Sequence, residues 1–337
     1  MVQLIQKVAV LGGGSAGWMA AAYLYKAFEG TVDVTVIESP TIPRIGVGEA
    51  TIPNLQSTFF DFLGIPEQEW MVECRASFKG AVRFSNWRTP ASSGIDDHFY
   101  HPFDQIPVCN GIPLSQFWFL DSERRQKPLD YSCFTELNSL DALRSPRTTD
   151  GTQKYSYAWH FDAQLLAEFL MRWATQRGVK HVRDTFVDAS IDNRGHISSL
   201  HLESGRQVLA DLFVDCSGFR GLLINKVFKE PFIDMSDRLL CDSAVATAFL
   251  VDEHSNVEPY TSSIALNNGW VWRIPQFGRV GTGYVYSRKF VSQEEATQEF
   301  LKLWDFDESK TKRPFHNPIN QKKNGVIATD LRRIVGL

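Results

Sequence analysis

The stretch that most constrains this chain is Val8-Ala9-Val10-Leu11-Gly12-Gly13-Gly14-Ser15-Ala16-Gly17-Trp18-Met19-Ala20-Ala21-Ala22. A short apolar run reads as a buried strand, the glycines as a turn and the alanine-rich run as a helix. Gly12, Gly14 and Gly17 fit G-x-G-x-x-G. In that pattern the first glycine turns the chain sharply, the second lets a pyrophosphate approach the backbone, and the third lets helix and strand pack closely. The helix N-terminus then presents unpaired N–H groups and the positive end of its dipole to phosphate. A second strand, Val32–Ile37, leads into Glu38. An acidic side chain about 20 residues beyond the glycines is placed to hold a ribose hydroxyl. Strand, turn, helix, strand and terminal acid together predict a dinucleotide site and leave NAD and FAD both open.

The rest of the composition narrows the partners. At 337 residues the chain can bury a large core in one domain or two. Its 35 basic and 39 acidic residues give a net charge of −4, which implies no general attraction to nucleic acid. The five cysteines, Cys74, Cys109, Cys133, Cys216 and Cys241, are scattered and form no C-x-x-C. That spacing argues for a reducing compartment and against a disulfide framework or a zinc site, so no metal is expected. No apolar run is long enough to cross a bilayer, and the N-terminus enters a strand without a leader-like segment. The expected setting is cytoplasmic, with no membrane partner.

Residues 1–53 read as the first β-α-β unit and a loop rich in proline and glycine. Within 54–154, helices are predicted over 54–63 and 67–74 and a strand over 77–87. Residues 90–150 are the least regular part and read as an insertion that builds a pocket rather than a sheet core. Residues 155–230 begin with Tyr157-Ala158-Trp159-His160-Phe161-Asp162, where Asp162 is an N-cap for a helix over 163–176. A hairpin follows over 185–202. Then comes the buried strand Leu212-Phe213-Val214-Asp215, running into a second glycine turn at Gly218. Residues 231–311 add strands over 244–251, 269–275 and 280–286 and a helix over 293–303; 312–337 is a polar tail without periodicity. Nucleotide-binding material therefore occurs twice around an insertion. Flavoproteins with an interrupted nucleotide fold are built this way, and FAD is favoured over NAD. The fold class is α/β, a Rossmann-like FAD-binding flavoprotein fold of monooxygenase type with an inserted substrate region.

Six stretches together are similar to the flavin-dependent tryptophan halogenases. They are Gly12-Gly13-Gly14-Ser15-Ala16-Gly17-Trp18-Met19-Ala20, Gly46-Val47-Gly48-Glu49-Ala50-Thr51, Phe78-Lys79, Tyr100-His101-Pro102-Phe103, Asp215-Cys216-Ser217-Gly218-Phe219-Arg220-Gly221 and Trp270-Val271-Trp272-Arg273-Ile274-Pro275. The last matches the family's W-x-W-x-I-P signature. The resemblance implies that a separate reductase supplies FADH2, that O2 and halide are co-substrates, and that hypohalous acid passes down an internal tunnel to a lysine beside a tryptophan or related indole. That lysine is Lys79 by the match; on residue type alone a solvated lysine at a strand edge is the more ordinary reading, and the match reverses it. The match assigns the cofactor to Gly12, Gly13, Gly14, Ser15, Ala16, Gly17, Glu38, Ser39, Gly48, Glu49, Ala50, Val187, Asp215 and Gly218. It gives His101 and Phe103 to stacking on the indole, although a proline-stiffened loop of core aromatics reads the same way. It gives Trp270, Trp272, Ile274 and Pro275 to the lining between flavin and tunnel, with two core tryptophans as the alternative. Glu49 could touch the flavin or halide region, or cap a helix. Cys216 reads as buried and inert. A homodimer is compatible with the resemblance.

The family's later stretches, among them E-P-L-E-S-T with the second catalytic carboxylate and a helical C-terminal part, have no counterpart in the text through Leu337. The expectation is a member lacking that part. Two further readings stay open on the sequence: a flavin-dependent aromatic monooxygenase, and an FAD-binding protein without halogenase activity.

Overall fold

In the computed structural model, residues 4–44, 46, 49–231, 233–304 and the backbone of 327–330 are described. The glycine turn lies between β1 (Lys7–Leu11) and α1 (Ser15–Ala27), and β2 (Asp33–Glu38) follows. β1 buries four consecutive residues, as a strand covered on both faces must. α1 turns Gly17, Trp18, Ala21 and Ala22 inward, and those small side chains let it lie close to the sheet. β3 (Glu49–Ala50) is followed by a π-helical turn, Gln56–Phe60, which runs into α2 (Asp61–Leu63), and then by α3 (Glu67–Glu73).

The stretch expected as a single strand over 77–87 is two strands, β4 (Ser77–Lys79) and β5 (Ala81–Ser85), in different sheets. The chain crosses at Gly80, whose N–H donates to the Pro259 carbonyl at 2.6 Å. A Cβ there would stand 2.7 Å from the Tyr155 ring and 2.9 Å from Leu140, so only glycine passes between them. The irregular segment after it also contributes to a sheet. β6 (His98–Pro102) pairs antiparallel with β5, and the Tyr-His-Pro-Phe run lies largely in that strand rather than in a loop. A small hairpin of β7 (Val108–Cys109) and β8 (Ile112–Pro113) follows, then the short helices α4 (Leu114–Leu120), α5 (Leu129–Cys133) and α6 (Leu137–Asp141).

β9 (Ala158–Phe161) brings the chain back between β3 and β4. Its successor α7 (Ala163–Thr175) is capped by Asp162, whose carboxylate accepts from Gln164 and Leu165 N–H at 2.9 and 3.2 Å. Its apolar positions Leu166, Ala167, Leu170, Trp173 and Ala174 face the core. Next come β10 (Lys180–Arg183), the antiparallel run β11 (Phe186–Ile191), β12 (Ile197–Leu202) and β13 (Gln207–Leu209), and β14 (Leu212–Asp215). A π-helical turn, Leu222–Val227, closes this part. The last segment is β15 (Ser243–Leu250), β16 (Tyr260–Leu266), β17 (Gly269–Gln276), β18 (Arg279–Tyr286), α8 (Gln293–Leu303) and β19 (Ile327–Asp330).

Two main sheets organise these elements. A four-stranded parallel sheet has the order β10-β2-β1-β14. A seven-stranded sheet has the order β19-β15-β18-β17-β16-β5-β6, and so joins strands from 54–154 to strands from 231–311. Between them lies a three-stranded antiparallel sheet, β3-β9-β4. One face of that small sheet, with Phe78, Tyr157 and Trp159, packs into the core built on α1, α3 and α7, where Phe60 stacks on Trp70 at 4.3 Å. Among the described residues no helix is long and apolar enough to cross a membrane.

Candidate functional site

The C-terminal ends of β1, β2 and β14 bring the first group of residues together. Register pairs Leu11 with Ile37 on one side and with Asp215 on the other. Gly12 has φ +121°, and a Cβ there would collide with the Cys216 carbonyl, so the two glycine turns touch back to back. A Cβ at Gly17 would strike the Gly12 carbonyl. Gly14, by contrast, faces open space with nothing within 4 Å of a Cβ, and it begins α1 with no side-chain cap and no acid in the first turn. That is the cradle a pyrophosphate requires: free N–H groups, a positive dipole end and no Cβ in the way. Ser15 and the exposed Ala16 continue it, and the exposed Gly218 lies just beyond the second turn.

Glu38 closes β2 and is already engaged. Arg44 holds Oε1 at 2.7 Å and His181 meets Oε2 at 2.9 Å. Burial alone would raise this carboxyl, but the His181 bond and the Arg44 guanidinium outweigh it and keep the group below the usual carboxylate range. Ser39 reaches Thr185 Oγ1 at 2.9 Å, close to Val187, whose carbonyl accepts from Lys226 Nζ at 2.9 Å. The Asp215 carboxylate is spent on its own loop. It accepts from Ser217 N–H and O–H at 3.1 and 2.5 Å, and from Leu223 and Ile224 N–H at 2.7 and 3.2 Å. Burial pushes the Cys216 thiol up to about 11, with Asp215 adding to it.

Ala163 links this turn to the second group. Its carbonyl accepts from Ser15 Oγ at 3.0 Å, and its N–H donates to Glu49 Oε2 at 3.0 Å. Glu49 therefore caps a helix, but it is α7, more than a hundred residues on, and not the helix that follows it in sequence. Glu49 and Ala50 pair across β9 with Phe161 and His160; on the other edge of β9, Ser77 pairs with His160 and Lys79 with Ala158. Lys79 is 7% exposed, donates to the Thr51 carbonyl at 3.0 Å and sits 5.3 Å from the centre of the Phe103 ring. Burial pulls its ammonium down from 10.5 to about 8. A buried lysine held by one carbonyl and one aromatic face can donate hydrogen bonds as a cation, or act as an amine when it loses its proton.

β17 supplies the third group. Val271 is buried toward α8, whereas Trp270 and Trp272 share the opposite, half-buried face with their rings 6.3 Å apart. They are not core tryptophans. Gly283 on β18 is the position over which the Trp272 ring lies. Ile274 and Pro275 are buried, and the Pro275 carbonyl accepts from Ser77 Oγ at 2.6 Å, tying this strand to the lysine strand. His101 is exposed on β6, whereas Lys79 is held by the Thr51 carbonyl and the Phe103 ring. Gly48 lies outside the described residues, as does nearly all of 312–337.

Sequence reasoning missed His160. It is fully buried, with Nδ1 3.2 Å from Ser77 Oγ and Nε2 2.8 Å from Thr261 Oγ1. The available signal was its alternation with Ala158 on β9, which puts the pair on one face, but nothing nearby in the chain names that face's neighbours.

Comparison with known proteins places these features in one family. Tryptophan 7-halogenase RebH of Lentzea aerocolonigenes is 53% identical over 94% of this chain and 61% of its own length. Tryptophan 6-halogenase ThaL of Streptomyces albogriseolus is 54% identical over 91% of this chain and 60% of its own. The crystal structure of the tryptophan 6-halogenase SttH from Streptomyces toxytricini superposes with a TM-score of 0.83 at 44% identity, over 91% of this chain and 61% of that one. The chain thus spans about three fifths of the length of these relatives. A family model described as tryptophan halogenase runs from residue 7 to residue 324, across the nucleotide turn, the lysine strand and the tryptophan strand alike, and the chain belongs to the tryptophan halogenase family.

Proposed function

We propose that this chain carries out the FADH2-dependent halogenation of tryptophan or a related indole. The observation that carries the reading is Lys79: a buried lysine at the foot of a small sheet, held by the Thr51 carbonyl beneath the face of Phe103. The nucleotide turn fits FAD because Gly14 is open where a phosphate must approach while Gly12 and Gly17 are closed by backbone contacts. Gly12 to Gly17, Glu38, Ser39, Val187 and Gly218 would hold the cofactor. Asp215 would shape the second turn, since its carboxylate is taken up there. Glu49 and Ala50 would brace the loop between cofactor and lysine. When bound and reduced by a partner reductase, the flavin supplies the reducing equivalents with which O2 oxidises halide to hypohalous acid.

The chain's own residues then handle that oxidant. In its cationic form, Lys79 donates hydrogen bonds to the oxygen of hypohalous acid and polarises the oxygen–halogen bond. In its neutral form, about a tenth of molecules at pH 7 for an amine with this pKa, the nitrogen forms a bond to halogen while the oxygen–halogen bond breaks and water leaves with the amine proton. Either way the indole ring attacks halogen: the carbon–halogen bond forms as the oxygen–halogen or nitrogen–halogen bond breaks, and the ring carbon's proton ends on the released hydroxide, as water, or on the released amine nitrogen. Phe103 offers a flat apolar face to the indole, with His101 on the approach. Trp270 and Trp272 line the passage.

The test is a purified-protein reaction with FAD, a flavin reductase, NADH, O2, tryptophan and chloride or bromide, read by mass spectrometry. The expected product is halide-dependent monohalotryptophan, lost in Lys79→Ala while FAD stays bound. Oxygenated product without halide would replace this reading with a monooxygenase. FAD binding without any turnover would leave only the cofactor half of it.

A further inference from the structure

His160 is a buried titratable group to which the proposed chemistry gives no task. Its surroundings fix its hydrogen atoms. Ser77 Oγ has one proton, and the Pro275 carbonyl at 2.6 Å takes it. Ser77 Oγ can then only accept from Nδ1 at 3.2 Å, so Nδ1 carries the ring proton. Nε2 keeps its lone pair and accepts from Thr261 Oγ1 at 2.8 Å. The neutral ring uses its one donor and one acceptor fully, as a buried polar group must. Burial, and after it the neighbouring Lys79 charge, push the imidazole down to about 3, so it stays uncharged across any working pH. Among the described residues Lys79 is the charge that acts on it; Ser77, Thr261 and Pro275 are uncharged.

The register explains why this ring matters to the lysine. Ser77 and Lys79 share one face of β4, and His160 and Ala158 lie directly opposite them on β9. Alanine opposite Lys79 leaves room for its stem. Histidine one step along fastens the same strand to β16 through Thr261 and, through Ser77, to the W-x-W-x-I-P strand β17. The backbone of His160 also pairs with Ala50, next to the Thr51 carbonyl that holds the lysine nitrogen.

We propose that His160 is a positioning residue for Lys79: a neutral imidazole that locks the lysine strand to β16 and β17 and thereby fixes how deeply the lysine nitrogen is withdrawn from water. The inference rests on the reading of Lys79 as the group that receives the oxidant, but its first test does not need that chemistry.

The experiment compares the wild type with His160→Phe, which keeps ring volume without polar atoms, and with His160→Asn, whose amide restores the donor at the Nδ1 position. The pH dependence of Lys79 acetylation is followed by mass spectrometry of its peptide, with FAD retention measured alongside. Wild type should show a midpoint of about 8. In His160→Phe the midpoint should rise by about one unit as water reaches the amine, and His160→Asn should return part of that shift. With tryptophan and halide, kcat should fall about tenfold while KM stays within about twofold, the signature of a misplaced reacting group. An unchanged midpoint in folded, FAD-binding His160→Phe overturns the proposal. If that variant does not fold, Thr261→Val, which removes only the Nε2 donor, decides in its place by the same shift or its absence. A shifted midpoint in a protein that halogenates nothing would uphold His160 and remove the oxidant-receiving role from Lys79.

Discussion

At the scale of single residues, the site is built around an unfavourable burial. Lys79 has an ordinary pKa of 10.5 in the unfolded chain and about 8 in the folded one. Below pH 8 both states hold the proton and the cost of burying it stands in full, about 3 kcal/mol by linkage. Between those two values the unfolded chain holds more protons than the folded one, so this residue makes stability rise with pH there. Lys79→Met should therefore raise stability by about 1–3 kcal/mol at pH 7, with the gain shrinking by about pH 10. Urea unfolding at the two pH values reads it directly, and a destabilised Met variant at neutral pH would refute the burial argument. The same variant should make no halogenated product, so stability and function part company at this side chain. His160 offers the contrast of a buried ionisable group that meets its burial by staying neutral, and it was illegible from sequence for that reason. A histidine inside Tyr-Ala-Trp-His-Phe looks like core filling, and its partners Ser77 and Thr261 stand about 80 and 100 residues away.

At the scale of elements, two glycine positions in one turn make opposite predictions. Gly12→Ala meets both a positive φ and the Cys216 carbonyl, and should cost about 2–4 kcal/mol of stability. Gly14→Ala has φ −78° and an empty surround, and should leave stability within about 0.5 kcal/mol. It should nevertheless weaken FAD binding about tenfold or more if phosphate sits there. Thermal unfolding and flavin titration separate the two effects; equal behaviour of the two variants would contradict the cradle. Gly80→Ala should cost about 1–3 kcal/mol from overpacking against Tyr155 and Leu140. The strand, glycine turn and helix were legible because they are adjacent in sequence and each obeys its own period. The break at Gly80 was not, because alternation on either side of it is continuous and the reason for the break, Tyr155 and Pro259, lies far along the chain.

At the scale of the whole molecule, several side chains tie the smaller sheets and their helices to the large sheet, and Asp162 is one of them. Its carboxylate caps α7 and also pairs with Arg279 on β18. Asp162→Ala should cost about 1–3 kcal/mol, more than a cap alone, and Arg279→Ala in that background should add little, a coupling a double-mutant cycle measures. β9 is another such tie: it pairs with β3 on one edge and the lysine strand on the other, while His160 meets Thr261 on β16 and the Phe161 carbonyl accepts from Gln276 Nε2 on β17. Pairing Glu49 with Phe161 closes a loop of about 110 residues. The β1–β14 pairing beside the first glycine turn spans more still, about 200 residues, so both carry a loop-closure cost. The glycine turns and the withdrawn amine of Lys79 thus both depend on segments brought back from far along the chain. Local opening at β9 would release the Glu49 loop and the lysine strand together, so a looser hold on that loop and a wetter Lys79 should be two readings of one event.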